Sequence, residues 1–266
     1  MLKSGGHIAI EECILPTARP APRPLTVIAT QSVTPNMLRV TLGGPGLAGF
    51  PDGQAGGYLK LRLPSDAGKP CVRTYTISAQ RDGELDVDFA LHADPHGHAG
   101  PATRWALGTI AGEVLEVGGP GMAKPLPAGH DFYLIAGDMT SLPAITVNLA
   151  ALPADARGLA AIEISEAADR QDLPCPAGVE IAWLVKQPGT DPDLLARTLR
   201  AQEWPAGSLY AWVACEFGAM RALRTYLREE RGLGPDRLYI SSYWQAGSTE
   251  DRHRDVKRAD MEALAA

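Results

Sequence analysis

Phe132-Tyr133-Leu134-Ile135-Ala136-Gly137-Asp138-Met139-Thr140-Ser141-Leu142-Pro143-Ala144 reads as a short apolar strand that ends at a glycine and opens a helix. The helix extends over Leu142–Leu152, apolar enough to pack on a sheet. Downstream the same alternation repeats. Strands are expected at Ala160–Ile164, Val179–Val185, Leu209–Ala214 and Leu238–Ser241, with helices at Asp193–Gln202 and Ala219–Arg231. Strands alternating with helices imply a parallel sheet covered on both faces. Upstream the pattern differs. Leu25–Thr30, Met37–Leu42, Tyr58–Leu63, Val72–Ser78 and Glu84–His92 read as strands separated by Gly, Pro and Asp turns. They predict an antiparallel barrel or sandwich from Leu25 to Pro125. Pro and Gly cluster at Lys124–His130, so the break between the halves falls there. The expected organisation is an extended or disordered arm over 1–24, a β-barrel over 25–127, a nucleotide-binding-type α/β domain over 128–248 and a tail over 249–266 that could be helical.

Composition bounds the function. Hydrophobic residues make up 45% of the 266 and charged residues 21%, so a packed core is expected. The net charge of −6 argues against a general nucleic-acid binder, although a local basic patch remains compatible with it. No apolar run approaches the roughly 20 residues that span a bilayer. The first 24 residues lack the basic-then-apolar order of a signal peptide. A soluble, cytoplasmic monomer is the expectation. Cys13, Cys71, Cys175 and Cys215 lie far apart and form no CxxC pair, which fits reduced thiols rather than a zinc or iron–sulfur site. His92, His96 and His98 lack a carboxylate or cysteine at ligand spacing, so no metal is expected there.

Five segments are candidates for chemistry. Arg73-Thr74-Tyr75-Thr76 lies on a strand, where alternation puts Arg73 and Tyr75 on one side and Thr76 on the other. A guanidinium that pairs with pyrophosphate, a phenol that stacks and a hydroxyl that hydrogen-bonds would together suit a flavin dinucleotide. The plainer reading is an ordinary half-buried strand. Gly100-Pro101-Ala102-Thr103, following His92, opens a segment of helical composition and offers backbone N–H groups to a phosphate. Gly137-Asp138 with Thr140 stands where a dinucleotide would meet the first strand of an α/β domain; otherwise Asp138 or Thr140 simply caps the helix. Ala214-Cys215-Glu216 is a second strand end, and Tyr243-Trp244 an aromatic pair after the last strand.

In order and spacing these segments resemble the siderophore-interacting protein family of the ferredoxin-reductase-like superfamily. The likeness runs from about Leu25 to Asp251. It also takes in Leu59-Lys60-Leu61, Asp88-Phe89-Ala90-Leu91-His92, Leu142-Pro143-Ala144-Ile145 and Trp212-Val213-Ala214-Cys215-Glu216. The resemblance implies a barrel that binds FAD through Arg73, Thr74, Tyr75 and Thr76, with His92 nearby and the pyrophosphate at Gly100, Pro101, Ala102 and Thr103. It implies that NADPH, NADH or a ferredoxin delivers electrons near Gly137, Asp138, Thr140, Glu216, Tyr243 and Trp244. The implied activity is reduction of ferric iron held in a siderophore, since a flavin links two-electron and one-electron chemistry. Other acceptors (a quinone, free flavin, a ferredoxin) and a flavin-bearing binding protein without turnover are the rival readings. An anionic substrate needs a basic cluster on this acidic chain. Lys60 matches the family's lysine before the flavin strand, and the tail supplies Arg252 and Arg254 together with Lys257 and Arg258. Ser78, Cys215, Ser242 and Gln245 depart from the family's more usual arginine, glycine, glycine and arginine.

Overall fold

A computed structural model describes residues 21–65, 68–92, 99–186, 191–248 and 250–265. Residues 1–20 of the expected arm, Cys13, His96 and His98 lie outside the described residues.

The N-terminal half is a closed antiparallel barrel. Its strands are β1 (Arg23–Thr34), β2 (Met37–Gly43), β3 (Tyr58–Leu63), β4 (Cys71–Arg81), β5 (Glu84–Ala90) and β6 (Val114–Gly121), in the spatial order β1-β2-β5-β4-β3-β6. Alternation builds the interior: Leu59, Leu61 and Leu63 are fully buried while Lys60 and Arg62 face outward. The α1 helix (Pro101–Gly108) lies against the barrel, between β5 and β6 in sequence. The C-terminal half is a parallel sheet ordered β11-β10-β7-β8-β9. Its strands are β7 (Phe132–Asp138), β8 (Arg157–Ile164), β9 (Gly178–Val185), β10 (Leu209–Glu216) and β11 (Leu238–Trp244). The connecting helices are α2 (Leu142–Ala150), α3 (Leu194–Arg200) and α4 (Phe217–Arg224), and α5 (Glu250–Ala265) follows β11.

Three sequence expectations change. Strand β1 begins at Arg23, inside the segment read as an arm, because Arg23 pairs with Val117 and its guanidinium donates to the carbonyls of Gly46 and Ala48. Strand β6 was not anticipated; Gly118-Gly119-Pro120 masks it, yet it closes the barrel between β1 and β3. The helix expected over Ala219–Arg231 starts earlier, at Phe217, and widens over Thr225–Glu230 into a π-type turn. There the buried Tyr226 hydroxyl donates to the Leu199 carbonyl on α3.

The two halves share a core. Met37 of the barrel packs with Ile135, Leu142 and Trp212 of the sheet domain, joined by half-buried Val33 and Ala90. Nearby, the buried Asp169 carboxylate accepts from the Thr34 hydroxyl (2.7 Å), the Asn36 backbone (2.9 Å) and the Asn36 side chain (2.9 Å) in the β1–β2 turn. The linker is tied down as well. The Lys124 carbonyl accepts from Trp212 Nε1 (2.9 Å) and Asn148 Nδ2 (3.2 Å), and Leu126 donates its backbone N–H to Asn148 Oδ1 (3.2 Å).

Candidate functional site

Strand pairing fixes which side chains the barrel presents. Leu59 faces Tyr75 and Leu61 faces Arg73, so Tyr75 and Arg73 lie on the inward side of β4. The Tyr75 ring packs 4.2 Å from Phe89, and the half-buried Arg73 guanidinium donates to the Val72 carbonyl at 2.8 Å. Tyr58 faces Thr76 and Lys60 faces Thr74 on the outer side. There the Lys60 ammonium donates to the Thr74 hydroxyl and lies 5.6 Å from the Tyr58 ring centre. The Tyr58 ring rests on Gly121; a Cβ at that position would sit 2.0 Å from it. Two residues beyond Thr76, the buried Ser78 hydroxyl has no hydrogen-bond partner. A buried orphaned hydroxyl is costly, so a water or a polar ligand atom can be accommodated there.

Helix α1 has an open N-terminus. Gly100 is its N-cap in extended geometry, no side chain caps it, and its first turn holds no acidic residue. Pro101 suits the first turn because its missing N–H would have no helical partner there. A Cβ on Gly100 would meet nothing within 4 Å among the described residues. Ala102 and Thr103 are buried beneath this end. Such a terminus carries partial positive charge and suits a pyrophosphate.

The carboxyl edge of the parallel sheet is arranged differently. Asp138, at the end of β7, is 6% exposed. Its Oδ1 accepts from the Thr140 backbone (2.9 Å) and hydroxyl (2.5 Å); its Oδ2 accepts from the Glu216 backbone (2.8 Å) and the Trp244 indole (2.8 Å). One carboxylate therefore ties the ends of β7, β10 and β11. Its neighbour Gly137 has no room for a side chain: a Cβ would lie 2.2 Å from Ser141 Oγ and 2.9 Å from the Ala214 carbonyl. Glu216 caps α4, accepting from Gly218 (2.5 Å) and Ala219 (3.3 Å), and its other oxygen accepts from Ala246 (3.1 Å). Trp244 meets the barrel, its ring 5.7 Å from that of His92, whose Nδ1 is 3.1 Å from the Ala90 carbonyl. On another side it faces the Lys186 ammonium at 5.9 Å, which pairs with Glu163 at 2.8 Å. Burial pushes the Glu163 carboxyl above its ordinary range despite Lys186. Tyr243 is pulled the same way, burial driving its phenol strongly upward.

Helix α5 brings a basic group to the end of β11. His253, Val256, Lys257 and Asp260 share the docked face, at helical i, i+3, i+4 and i+7 spacing. His253 Nε2 lies 2.9 Å from Ser242 Oγ, Val256 touches the core, and Asp260 pairs bidentately with Arg224. The Lys257 ammonium donates to Ser241 Oγ (2.7 Å) and the Ser242 carbonyl (3.1 Å). Burial lowers its pKa first, and the positive charge of Lys60 lowers it further. Arg252 and Arg254 are exposed on α5.

Cys215 is fully buried, and burial, with Asp138, Glu163 and Glu216 adding to it, holds its thiol well above the ordinary range. Thiolate is the reactive form. Alkylation of the native chain will therefore modify the half-buried Cys71 and Cys175 and leave Cys215 untouched until the chain unfolds. Mass mapping of the alkylated peptides checks this; rapid native labelling of Cys215 would contradict it.

The sequence reading missed Ser78 as an orphaned donor, Lys186 and Glu163 beside Trp244, and His253 as the α5 anchor. Helical spacing from Val256 could have selected His253; nothing in the sequence signals the others. Among the described residues no group of three side chains is set to hold a metal, and no helix is long and apolar enough to cross a membrane.

Barrel, uncapped α1 and parallel sheet together define a flavoprotein of the ferredoxin-reductase-like class. A cytochrome P450 reductase from Amycolatopsis shares this fold, with a TM-score of 0.60 at 20% identity over 85% of this chain and 71% of that one. The siderophore-interacting FAD-binding domain matches residues 26–70 and 65–124, and the siderophore-interacting protein domain matches 130–247. The chain belongs to the siderophore-interacting protein family. It is 33% identical to the ferric vibriobactin reductase ViuB of Vibrio cholerae, over 91% of this chain and 96% of that protein. The crystal structure of the siderophore-interacting protein SipS from Aeromonas hydrophila superposes with a TM-score of 0.79 at 34% identity, covering 91% of this chain and 98% of SipS.

Proposed function

We propose that this chain is a cytoplasmic FAD-dependent ferric-siderophore reductase, which reduces Fe(III) to Fe(II) and so loosens its chelation. The observation that carries the reading is the Lys60 ammonium on the outer face of the flavin strand, donating to the Thr74 hydroxyl and 5.6 Å from the Tyr58 ring centre. A cation at that face of an otherwise acidic chain favours a ligand that carries negative charge. An anionic ferric siderophore, such as a catecholate or carboxylate chelate, supplies that charge.

The residues present fit FAD. The uncapped α1 terminus at Gly100–Thr103 would take the pyrophosphate with Arg73, and the Ser78 hydroxyl and Thr76 offer hydrogen bonds to the ring system. When bound, FAD supplies the conversion between paired and single electrons that ferric iron requires. The protein's part is positional. Lys60 and Lys257 attract and hold the chelate, Tyr58 and Gly121 shape the barrel face beside it, and Trp244 walls the sheet side. Electron transfer to chelated iron makes and breaks no covalent bond in the substrate, so that step calls for no general acid or base among this chain's residues.

The test uses FAD-loaded protein reduced photochemically, so that no physiological donor is involved. Mixed anaerobically with an anionic ferric siderophore, it should regain its yellow colour and yield Fe(II) to a ferrous chelator. Lys60→Met should raise the apparent KM for that substrate about fivefold, the upper range for an exposed charge pair, and rising salt should narrow the difference. A neutral ferric chelate should be nearly indifferent to the substitution. Absence of Fe(II) from any ferric siderophore, with rapid reoxidation by a quinone instead, would overturn the reading.

A further inference from the structure

We infer that Tyr243, Tyr239, Trp212 and Tyr210 form a radical relay. It carries one-electron oxidising equivalents from the boundary of barrel and sheet to the amino edge of the sheet, and so spares the site from damage by its own chemistry. The protective role rests on the reductase reading above, since a flavin beside ferrous iron is where such oxidants arise. The relay itself rests on the placing of the rings.

Strand register puts them on one face. Trp212 on β10 is level with Tyr239 on β11, and side chains two apart on a strand point the same way. Tyr210, Tyr239 and Tyr243 accordingly pack in one cluster with the buried Trp212. The Tyr243 and Tyr239 side chains hydrogen-bond to each other, and the Tyr239 ring lies 5.3 Å from that of Trp212. Tyr210 comes next on the same face, its ring 5.4 Å from that of His130. Tyr210 is one residue before the Ala211–Leu238 pair, so the run from Tyr243 descends about 20 Å at roughly 3.3 Å per residue. Its upper end is at the barrel: Tyr243 shares its cluster with Val33 and Ala90, and it precedes Trp244, whose ring is 5.7 Å from that of His92. Its lower end, Tyr210, is half-exposed.

Packing alone does not ask for these residue types. Apart from Phe132, the opposite face of β7, β10 and β11 packs aliphatic side chains such as Leu134, Val213 and Ile240. Phenylalanine at 239 and 243 would fill the same space without burying a hydroxyl. What a phenol or an indole adds is easy loss of one electron, with its proton leaving alongside. Tyr243 has the Tyr239 hydroxyl to receive that proton. Beside Tyr210, the buried His130 Nδ1 has no hydrogen-bond partner among the described residues and is a ready acceptor. The electrons balance as follows. Ferrous iron and hydrogen peroxide give ferric iron, hydroxide and a hydroxyl radical. That radical takes the phenolic hydrogen of Tyr243 and becomes water. Tyr239, Trp212 and Tyr210 then each restore the ring before them by giving up one electron and one proton. A small thiol at the surface restores Tyr210, so the net change is hydroxyl radical plus thiol to water plus thiyl radical.

The experiment has two arms on the FAD-loaded full chain. In the first, the protein is lit with blue light without oxygen, with a cobalt(III) ammine complex to take the flavin's electron irreversibly and a nitrone spin trap in solution. The excited flavin is the oxidant, so neither siderophore nor electron donor enters. Peptide mass spectrometry should locate the trapped radical on Tyr210. Tyr239→Phe, which keeps the ring and the packing, should lose that adduct and gain one on Tyr243. Tyr210→Phe should leave the radical on Tyr239. A Tyr210 adduct unchanged in Tyr239→Phe, or none on Tyr210 in the native protein, overturns the relay. In the second arm, ferric siderophore is turned over with hydrogen peroxide present. Tyr239→Phe should begin at the native rate and then lose activity several-fold faster. Equal rates of loss overturn the protective role. Absence of Fe(II) even without peroxide would be a failure of the reductase reading, and the spin-trap arm would still decide the relay.

Discussion

Asp138→Ala will lower the midpoint of thermal unfolding by about 6–12 °C, from a loss of about 3 kcal/mol and roughly 2–4 °C per kcal/mol for a chain of this size. The effect is large because four donors converge on this carboxylate: the Thr140 backbone and hydroxyl, the Glu216 backbone and the Trp244 indole. Alanine leaves them facing a cavity. Each unsatisfied buried donor costs about 1–3 kcal/mol, offset where water can enter, and Trp244 and Thr140 are only half-buried. Asp138→Asn will recover part of the loss at most, because its amide nitrogen must face donors on one of the two sides. Differential scanning calorimetry on the three chains decides the matter. An unchanged midpoint for alanine would mean that the strand ends are held by packing alone. Trp244 fluorescence should also become less anisotropic in the alanine variant, since the indole loses its anchor.

The second large effect concerns FAD. Arg73→Ala will weaken FAD binding about 10- to 150-fold, the equivalent of roughly 1.5–3 kcal/mol for a charge-assisted hydrogen bond. Titration of apoprotein by flavin fluorescence measures it. Arg73→Lys should restore only part, because an ammonium keeps the charge but loses the planar fork that matches two phosphate oxygens. The structure makes Arg73 a sensitive probe. Its guanidinium is half-buried and bonded to the Val72 carbonyl, so its removal disturbs no ion pair among the described residues. If affinity is unchanged, the pyrophosphate rests on the α1 terminus without help from β4.

Much of the fold was written in local pattern. The run Tyr133–Asp138 is buried throughout, and a strand sealed on both faces reads as continuous apolar sequence. The barrel strand Tyr58–Leu63 shows the opposite signature, strict alternation, because one side faces the core. Strand β6 was illegible because Gly118, Gly119 and Pro120 are turn-formers, and only the closure of the barrel around them makes a strand. The site was legible as residue types and not as contacts. Asp138 could be read as a helix cap, and its Thr140 contact is of that local kind. Its other partners lie 78 and 106 residues away, beyond any spacing rule. The tail offered four basic residues, and periodicity could not say which would turn inward until β11 and α4 supplied Ser241, Ser242 and Arg224 as anchors.

The linker between the halves has a bearing on how fast the protein can work. Its Pro and Gly content suggests a hinge, yet Lys124 and Leu126 are sewn to Asn148 and Trp212, and Pro127 accepts from the Tyr133 hydroxyl at 3.0 Å. A reductase whose halves opened and shut would pay a friction cost in thick solvent, because large domains must push liquid aside. Here those linker hydrogen bonds, with the shared core around Met37, oppose such opening. Sucrose or glycerol should slow the arrival of substrate in proportion to viscosity and leave the rate at saturation untouched, a behaviour closer to that of an electrode surface than of a closing jaw.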